Sequence, residues 1–229
     1  MNTNDLAHLR NVIITCDKCP RLRNWCRQVA KEKRASFREE VYWGRPLPGF
    51  GDPRARVVVV GLAPAAHGGN RTGRFFTGDR SGDWLYAALH RAGYANQPTS
   101  TSRVDGLRLT GAWVTACVRC APPANKPEPQ ERDNCLPYLV EELRLLTRAR
   151  TIVALGGFAW DGVLRALREL GHIPARKPKF GHGAEAEVGP YRLIGSYHPS
   201  QQNTFTGRLT RPMLDGVFRR AKAAVTAVD

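Results

Sequence analysis

The chain has 229 residues, 42% hydrophobic and 24% charged, enough for one domain with a sizeable core and ordinary for a soluble globular protein. No apolar run approaches the roughly 20 residues that cross a bilayer, and the polar start Asn2-Thr3-Asn4-Asp5 is no secretory signal, so the expectation is a cytoplasmic protein with no membrane partner. Against 20 Asp and Glu stand 35 Lys and Arg, a net charge of +15 that attracts polyanions by releasing counterions from phosphates; nucleic acid is the favoured partner, a solvated basic surface or a ribosome-associated protein the blander readings.

Residues 6–56 read as an N-terminal extension, first charged and then rich in turn formers, within a single domain spanning 1–229. Val57-Val58-Val59-Val60-Gly61-Leu62 is a continuous β-branched run that suits a buried parallel strand. A loop from Ala63 to Arg80 follows, and Ser81 is a plausible N-cap for a helix from Asp83 to His90 that closes at Gly93. Ala112 to Val118 reads as the second strand, a stiff proline loop comes next, and Leu136, Leu139, Val140, Leu143 and Leu146 mark a helix around 130–148. Thr151 to Leu155 is a third strand, and Gly156-Gly157 opens a helix to about Leu170. A Gly-, Pro- and Lys-rich stretch over 171–190 precedes a fourth strand, Tyr191 to Ser196, and a helix around 211–226 ends the chain. This alternation predicts a three-layer α/β/α fold around a four-stranded parallel sheet, with the site beyond the carboxyl ends of the strands.

The loop after the first strand is neither a P-loop nor a dinucleotide fingerprint, which excludes a nucleoside-triphosphate reading. Gly61, Leu62 and Ala63 at its start are candidate substrate contacts, since small residues just past a strand let a ligand approach the backbone, and Phe75 or Phe76 offers an aromatic face to a planar base. Asp79 is its only carboxylate. Six cysteines without a signal sequence argue for metal ligation or reduced core thiols rather than disulfides.

Gly61-Leu62-Ala63-Pro64-Ala65 with Phe76-Thr77-Gly78-Asp79, Val118-Arg119-Cys120 through Pro127, Cys135-Leu136-Pro137-Tyr138-Leu139 and His198-Pro199-Ser200 together resemble the iron–sulfur uracil-DNA glycosylases, and within them the type-B group, or family 5. The resemblance covers about residues 16–210. It implies a monomeric, monofunctional base-excision-repair enzyme, nucleoid-associated in a prokaryote, that removes uracil from DNA and tolerates hypoxanthine or other deaminated or oxidised bases. Where type-A relatives carry polar residues this chain has Ala63 and Ala116, and the resemblance gives the water-activating task to Asp79 instead.

It also implies that Cys16, Cys19, Cys120 and Cys135 hold a structural four-iron, four-sulfur cluster. A zinc site of Cys16, Cys19, Cys117 and Cys120 is the rival, disfavoured because Cys117 and Cys120 point to opposite faces if the strand continues; Cys117 and Cys26 read as small buried residues. In this reading Phe76 stacks on an extruded base, Asn125 reads its N3–H and O4 edge, and His198 hydrogen-bonds O2 as the base leaves. Arg71 and Arg74 are candidate phosphate contacts, as are Ser200, Gln201 and Arg208 in the last loop, with Phe205 or Leu209 as the wedge into the opened duplex. Two rivals remain: a non-catalytic iron–sulfur or zinc protein that binds nucleic acid, and a hydrolase or transferase for free nucleotides, which the charge disfavours.

Overall fold

The computed structural model describes residues 3–226. Among the described residues six strands form one sheet in the order β1-β3-β2-β4-β6-β5. Four of them, β2 (Val57–Gly61), β3 (Ala112–Ala116), β4 (Thr151–Leu155) and β6 (Tyr191–Ser196), run parallel as the sequence predicts. The sheet is nevertheless mixed. At its edges β1 (Phe50–Gly51) pairs antiparallel with β3, and β5 (Glu185–Val188) pairs antiparallel with β6. Neither carries the apolar run that marks a buried strand: β1 is two residues long, and β5 alternates Glu with Ala and Val on a half-solvated edge.

The central strands are apolar throughout because both faces are covered. Val58, Val60, Ile152 and Ala154 pack under α5 (Pro129–Leu145) and α6 (Gly157–Glu169), while Val57, Val59, Val153 and Leu155 point the other way into the layer of α4 (Arg80–Arg91) and α8 (Arg211–Thr226). The N-terminal segment is part of this body rather than an appendage. Here α1 (Thr3–Ile14) packs on α5 through Leu9, Ile13 and Tyr138, and Cys19, Leu22 and Cys26 from the region of α2 (Pro20–Glu32) join the α5–α6 core.

The chain leaves β2 toward β3 on one side, while β4 lies on the other, so the loops after β2, β3 and β6 gather at a topological switch point.

Candidate active site

The loop after β2 folds back through α3 (Gly69–Thr72) before entering α4. The N-cap of α4 is Asp79, not Ser81: its carboxylate accepts the Gly82 N–H at 3.0 Å. Both residues are good cap types, and the close approach decides between them. Gly82 lies so near Phe76 that a Cβ there would fall 2.0 Å from the Phe76 carbonyl oxygen. Phe76 itself sits in the left-handed region at φ 51°, an uncommon place for an aromatic residue. Two absent side chains make room for the functional groups. A Cβ on Gly61 would lie 2.7 Å from Phe76 Cζ, and one on Gly68 would lie 2.1 Å from Asp79 Oδ2.

Two arginines brace this loop from inside. Arg71 donates to the carbonyls of His67 and Gly78, pairs with Glu40 and lies on the Phe37 ring. Arg74 bonds Thr77, Ser100 and Asp105. Burial alone would raise the Asp105 carboxyl, but the Arg74 hydrogen bond and the backbone amides of Leu107, Thr101 and Ser102 hold it at about 2. Both guanidinium groups are buried and satisfied by protein partners, so their reading as phosphate contacts is corrected: they shape the loop.

The other walls come from the loops after β3 and β6. Ala124 and Asn125 take left-handed φ values of 52° and 57° in the proline turn, which brings Asn125 to the exposed rim. His198 follows β6, its carbonyl accepting from the Asn203 amide at 2.9 Å and its ring centroid 5.7 Å from that of Phe76. These loops enclose a cavity of about 610 Å³ lined by Leu62, Ala63, Phe76, Asp79, Asn125, His198, Ser200 and Gln201. Gly61 lies just behind, against Phe76. Arg80, Ser81 and Gln202 also line it; Ser81 stands out in the sequence only as a cap type, and an Arg at a helix start or a second Gln in a polar loop carries no chemical signature.

Burial is the largest influence on two of the titratable groups in the cavity. Burial raises the Asp79 carboxyl, opposed by the backbone amides of Gly82 and Ser81. Burial lowers His198 to about 4, so its imidazole is neutral at physiological pH.

Past His198, Ser200 caps α7 (Gln201–Phe205) by accepting the Asn203 N–H. Phe205 is 67% exposed under the Arg80 guanidinium, whereas Leu209 is fully buried. Of the two wedge candidates only Phe205 is available; Leu209 belongs to the α4–α8 core. Arg208 is exposed and lies over the Tyr197 ring, 4.6 Å from its centroid.

All six cysteines are free. Burial raises Cys135 to about 11, with Cys19 and Cys16 near enough to add to the effect, and Cys135 acts on Cys120 in the same sense. Cys26 contacts Cys120. The strand ends at Ala116, so alternation along it does not separate Cys117 from Cys120; packing does. Cys117 is buried against Gly162, where a Cβ would fall 2.3 Å from its sulfur. Among the described residues no three His, Cys, Asp or Glu side chains close around one point as a metal site.

Residues 48–222 match the Uracil DNA glycosylase superfamily, and the chain belongs to that family. Within it the chain is 57% identical over 219 residues to a "Type-5 uracil-DNA glycosylase" of Mycobacterium bovis, covering 95% of this chain and 81% of the relative. It is 50% identical to the type-5 enzyme of Thermus thermophilus, covering 92% and 94%. A "Type-4 uracil-DNA glycosylase" of Pyrobaculum aerophilum is more distant, at 30% over 94% of the chain. No helix among the described residues is long and apolar enough to cross a membrane.

Proposed function

We propose that this protein hydrolyses the N-glycosidic bond of uracil in DNA, leaving an abasic site for base excision repair. One observation carries the reading: Phe76, Asp79, Asn125 and His198, from three loops far apart in sequence, line one cavity at the strand ends.

A nucleotide extruded from the duplex enters this cavity, because its glycosidic bond is out of reach in the stack. The base stacks on Phe76, a contact worth roughly 1–3 kcal/mol. Asn125 accepts from N3–H and donates to O4, a pair that cytosine does not offer. Hypoxanthine presents the same donor and acceptor at N1–H and O6, so it is a second substrate. As the bond lengthens, negative charge gathers on the base and positive charge on the sugar. His198, neutral, donates an N–H to O2. Asp79 orients the attacking water and favours the oxocarbenium ion. Its desolvated carboxylate is well suited to this, since solvent screens it poorly.

Cys16, Cys19, Cys120 and Cys135 would hold a four-iron, four-sulfur cluster. The donor set supports this: four soft thiols, without a disulfide among the described residues, three of them buried. Such a group would tie the start of α2 to the proline loop that carries Asn125, and hydrolysis needs no electrons from it. Ser200, Gln201, Arg208 and exposed Phe205 would meet the opened duplex, and the net charge of +15 supplies the general attraction to DNA. The protein acts as a monomer in the cytoplasm, at the nucleoid.

The test is incubation with oligonucleotides carrying one uracil or one hypoxanthine, followed by alkaline cleavage at abasic sites. Strand scission at the uracil supports the reading; intact uracil strands overturn it.

A further inference from the structure

The connection from α6 to β5, rich in Gly, Pro and Lys, has no part in the chemistry above, yet one of its side chains reaches the backbone of the active site. His182 Nδ1 accepts the Tyr197 N–H at 3.2 Å, one residue before His198. The two rings lie 5.2 Å apart, tilted by 38°.

The turn that carries His182 is fixed to β6. Gly183 N–H donates to the Gly195 carbonyl at 2.7 Å, and Gly195 N–H donates to the Ala184 carbonyl at 2.8 Å. Gly195 must lack a side chain for this, since a Cβ there would fall 2.5 Å from the Gly181 carbonyl oxygen. From α8, Arg220 donates to the Gly183 carbonyl at 3.3 Å.

At the end of β6 the backbone is held by a few bonds among the described residues. Ser196 Oγ donates to the Tyr197 carbonyl, and Asn203 Nδ2 donates to the His198 carbonyl. The peptide between Ser196 and Tyr197 is held on both sides: Gly156 N–H donates to the Ser196 carbonyl at 2.8 Å, and among the described residues the Tyr197 N–H has only His182 Nδ1 as its acceptor. His182 therefore shares with Gly156 in setting the direction in which the chain carries His198 into the cavity.

We propose that His182 is a positioning residue for the reaction: by accepting the Tyr197 N–H it helps set the backbone from which His198 reaches the departing base. This rests on the role of His198 proposed above. Accepting at Nδ1 places the ring proton on Nε2 in the neutral state. The environment keeps it neutral: burial lowers its affinity for protons, and the Arg220 charge acts in the same direction, against the Met213 backbone. A doubly protonated ring would turn Nδ1 into a donor and break the clamp.

The test compares His182→Ala with His182→Asn in the full chain, since Asn Oδ1 can accept where Nδ1 does. On a uracil-containing oligonucleotide, His182→Ala should lower the single-turnover excision rate about 10-fold to 100-fold, as lost support of a positioned group does. Its KM should stay within about twofold. His182→Asn should recover most of the rate. Amide hydrogen exchange at Tyr197 gives an activity-independent readout: protected in wild type and His182→Asn, fast in His182→Ala. Full activity of His182→Ala, equal impairment of both variants, or unchanged Tyr197 protection in His182→Ala overturns the proposal. A wild-type protein that leaves uracil in place removes the function reading instead, and the exchange measurement still decides whether the clamp exists.

Discussion

Phe76 and His198 stand with ring centroids 5.7 Å apart and planes tilted by 33°, although they come from loops after strands that β4 separates. That spacing leaves no room for a third ring between them. Both rings line the same cavity, so a base that enters it meets them side by side rather than sandwiched between them. The arrangement depends on Gly61, where a methyl group would press on Phe76 Cζ from 2.7 Å. Gly61→Ala should tilt the ring into the cavity and lower kcat/KM on uracil DNA about 10-fold or more, leaving affinity for undamaged DNA unchanged. Wild-type kcat/KM in this variant would mean that the Phe76 face is not the stacking platform.

Asp79 has two tasks that substitution can separate. As N-cap of α4 its carboxylate bonds the Gly82 amide, which Asn does about as well as Asp. Asp79→Asn should keep the melting temperature near wild type while lowering kcat about 100-fold or more, the range of a positioned base. Asp79→Ala should lose the activity and, in addition, about 1 kcal/mol of stability with the cap. Because burial raises its pKa, wild-type activity should climb with pH through a point above the usual carboxylate range, a limb absent from the residual activity of Asp79→Asn. An equal rate in wild type and Asp79→Asn would move the water-positioning task to another group.

For His198 the sign of the pH effect is set by its depression from 6.5 to about 4. Between those values the unfolded chain binds a proton that the folded chain refuses. The stabilising contribution is therefore fully present above pH 6.5 and is lost as pH falls toward 4. His198→Gln should flatten that part of the stability profile. Activity should show no inflection near 6.5, because the ring stays neutral throughout. Titration of the His198 ring by NMR checks both, and a midpoint near the ordinary value would refute them.

What the residues announced in advance follows from how local the cause is. The runs Val57–Val60 and Ile152–Leu155 are apolar at every position because helices cover both sides of the sheet, so sequence alone reveals them as buried parallel strands. Strand β5 hides because its exposed edge permits Glu185 and Glu187 to alternate with Ala186 and Val188, leaving no apolar run. Phe76, Asp79, Asn125 and His198 were legible as a group through the ordered motifs around them. Arg71 and Arg74 were not: whether an arginine meets phosphate or protein depends on Glu40 and Asp105, each 31 residues away. Asp79 as a cap was obscured by Ser81, an equally good cap type two positions later. The clamp on Tyr197 is invisible in sequence, because a histidine between two glycines looks like any turn.

The cysteine assignment makes a sharp division. Cys135→Ser should lower iron content and bleach the brown colour expected of the purified protein. Cys117→Ala should leave both intact, since the Cys117 sulfur is packed against Gly162 in the core. Iron and acid-labile sulfide assays, with zinc measured alongside, check this. A colourless protein carrying zinc that Cys117→Ala releases would establish the rival site of Cys16, Cys19, Cys117 and Cys120.

Phe205 and Leu209 are four residues apart and differ in what their loss should do. Leu209 is fully buried in the core, so Leu209→Ala should lower stability by about 2–5 kcal/mol and activity only through folding. Phe205 is 67% exposed, and its ring makes a cation–π contact with Arg80, 5.0 Å from the centroid. Removing it should barely change the melting temperature. If Phe205 fills the space left by the extruded nucleotide, Phe205→Ala should slow excision from duplex DNA, where unstacking costs a few kcal/mol per step. It should leave the single-stranded substrate nearly untouched, since no stack has to be opened there. The ratio of duplex to single-strand rates is thus the decisive quantity, and an equal loss on both substrates would assign Phe205 to strand binding rather than to holding the duplex open.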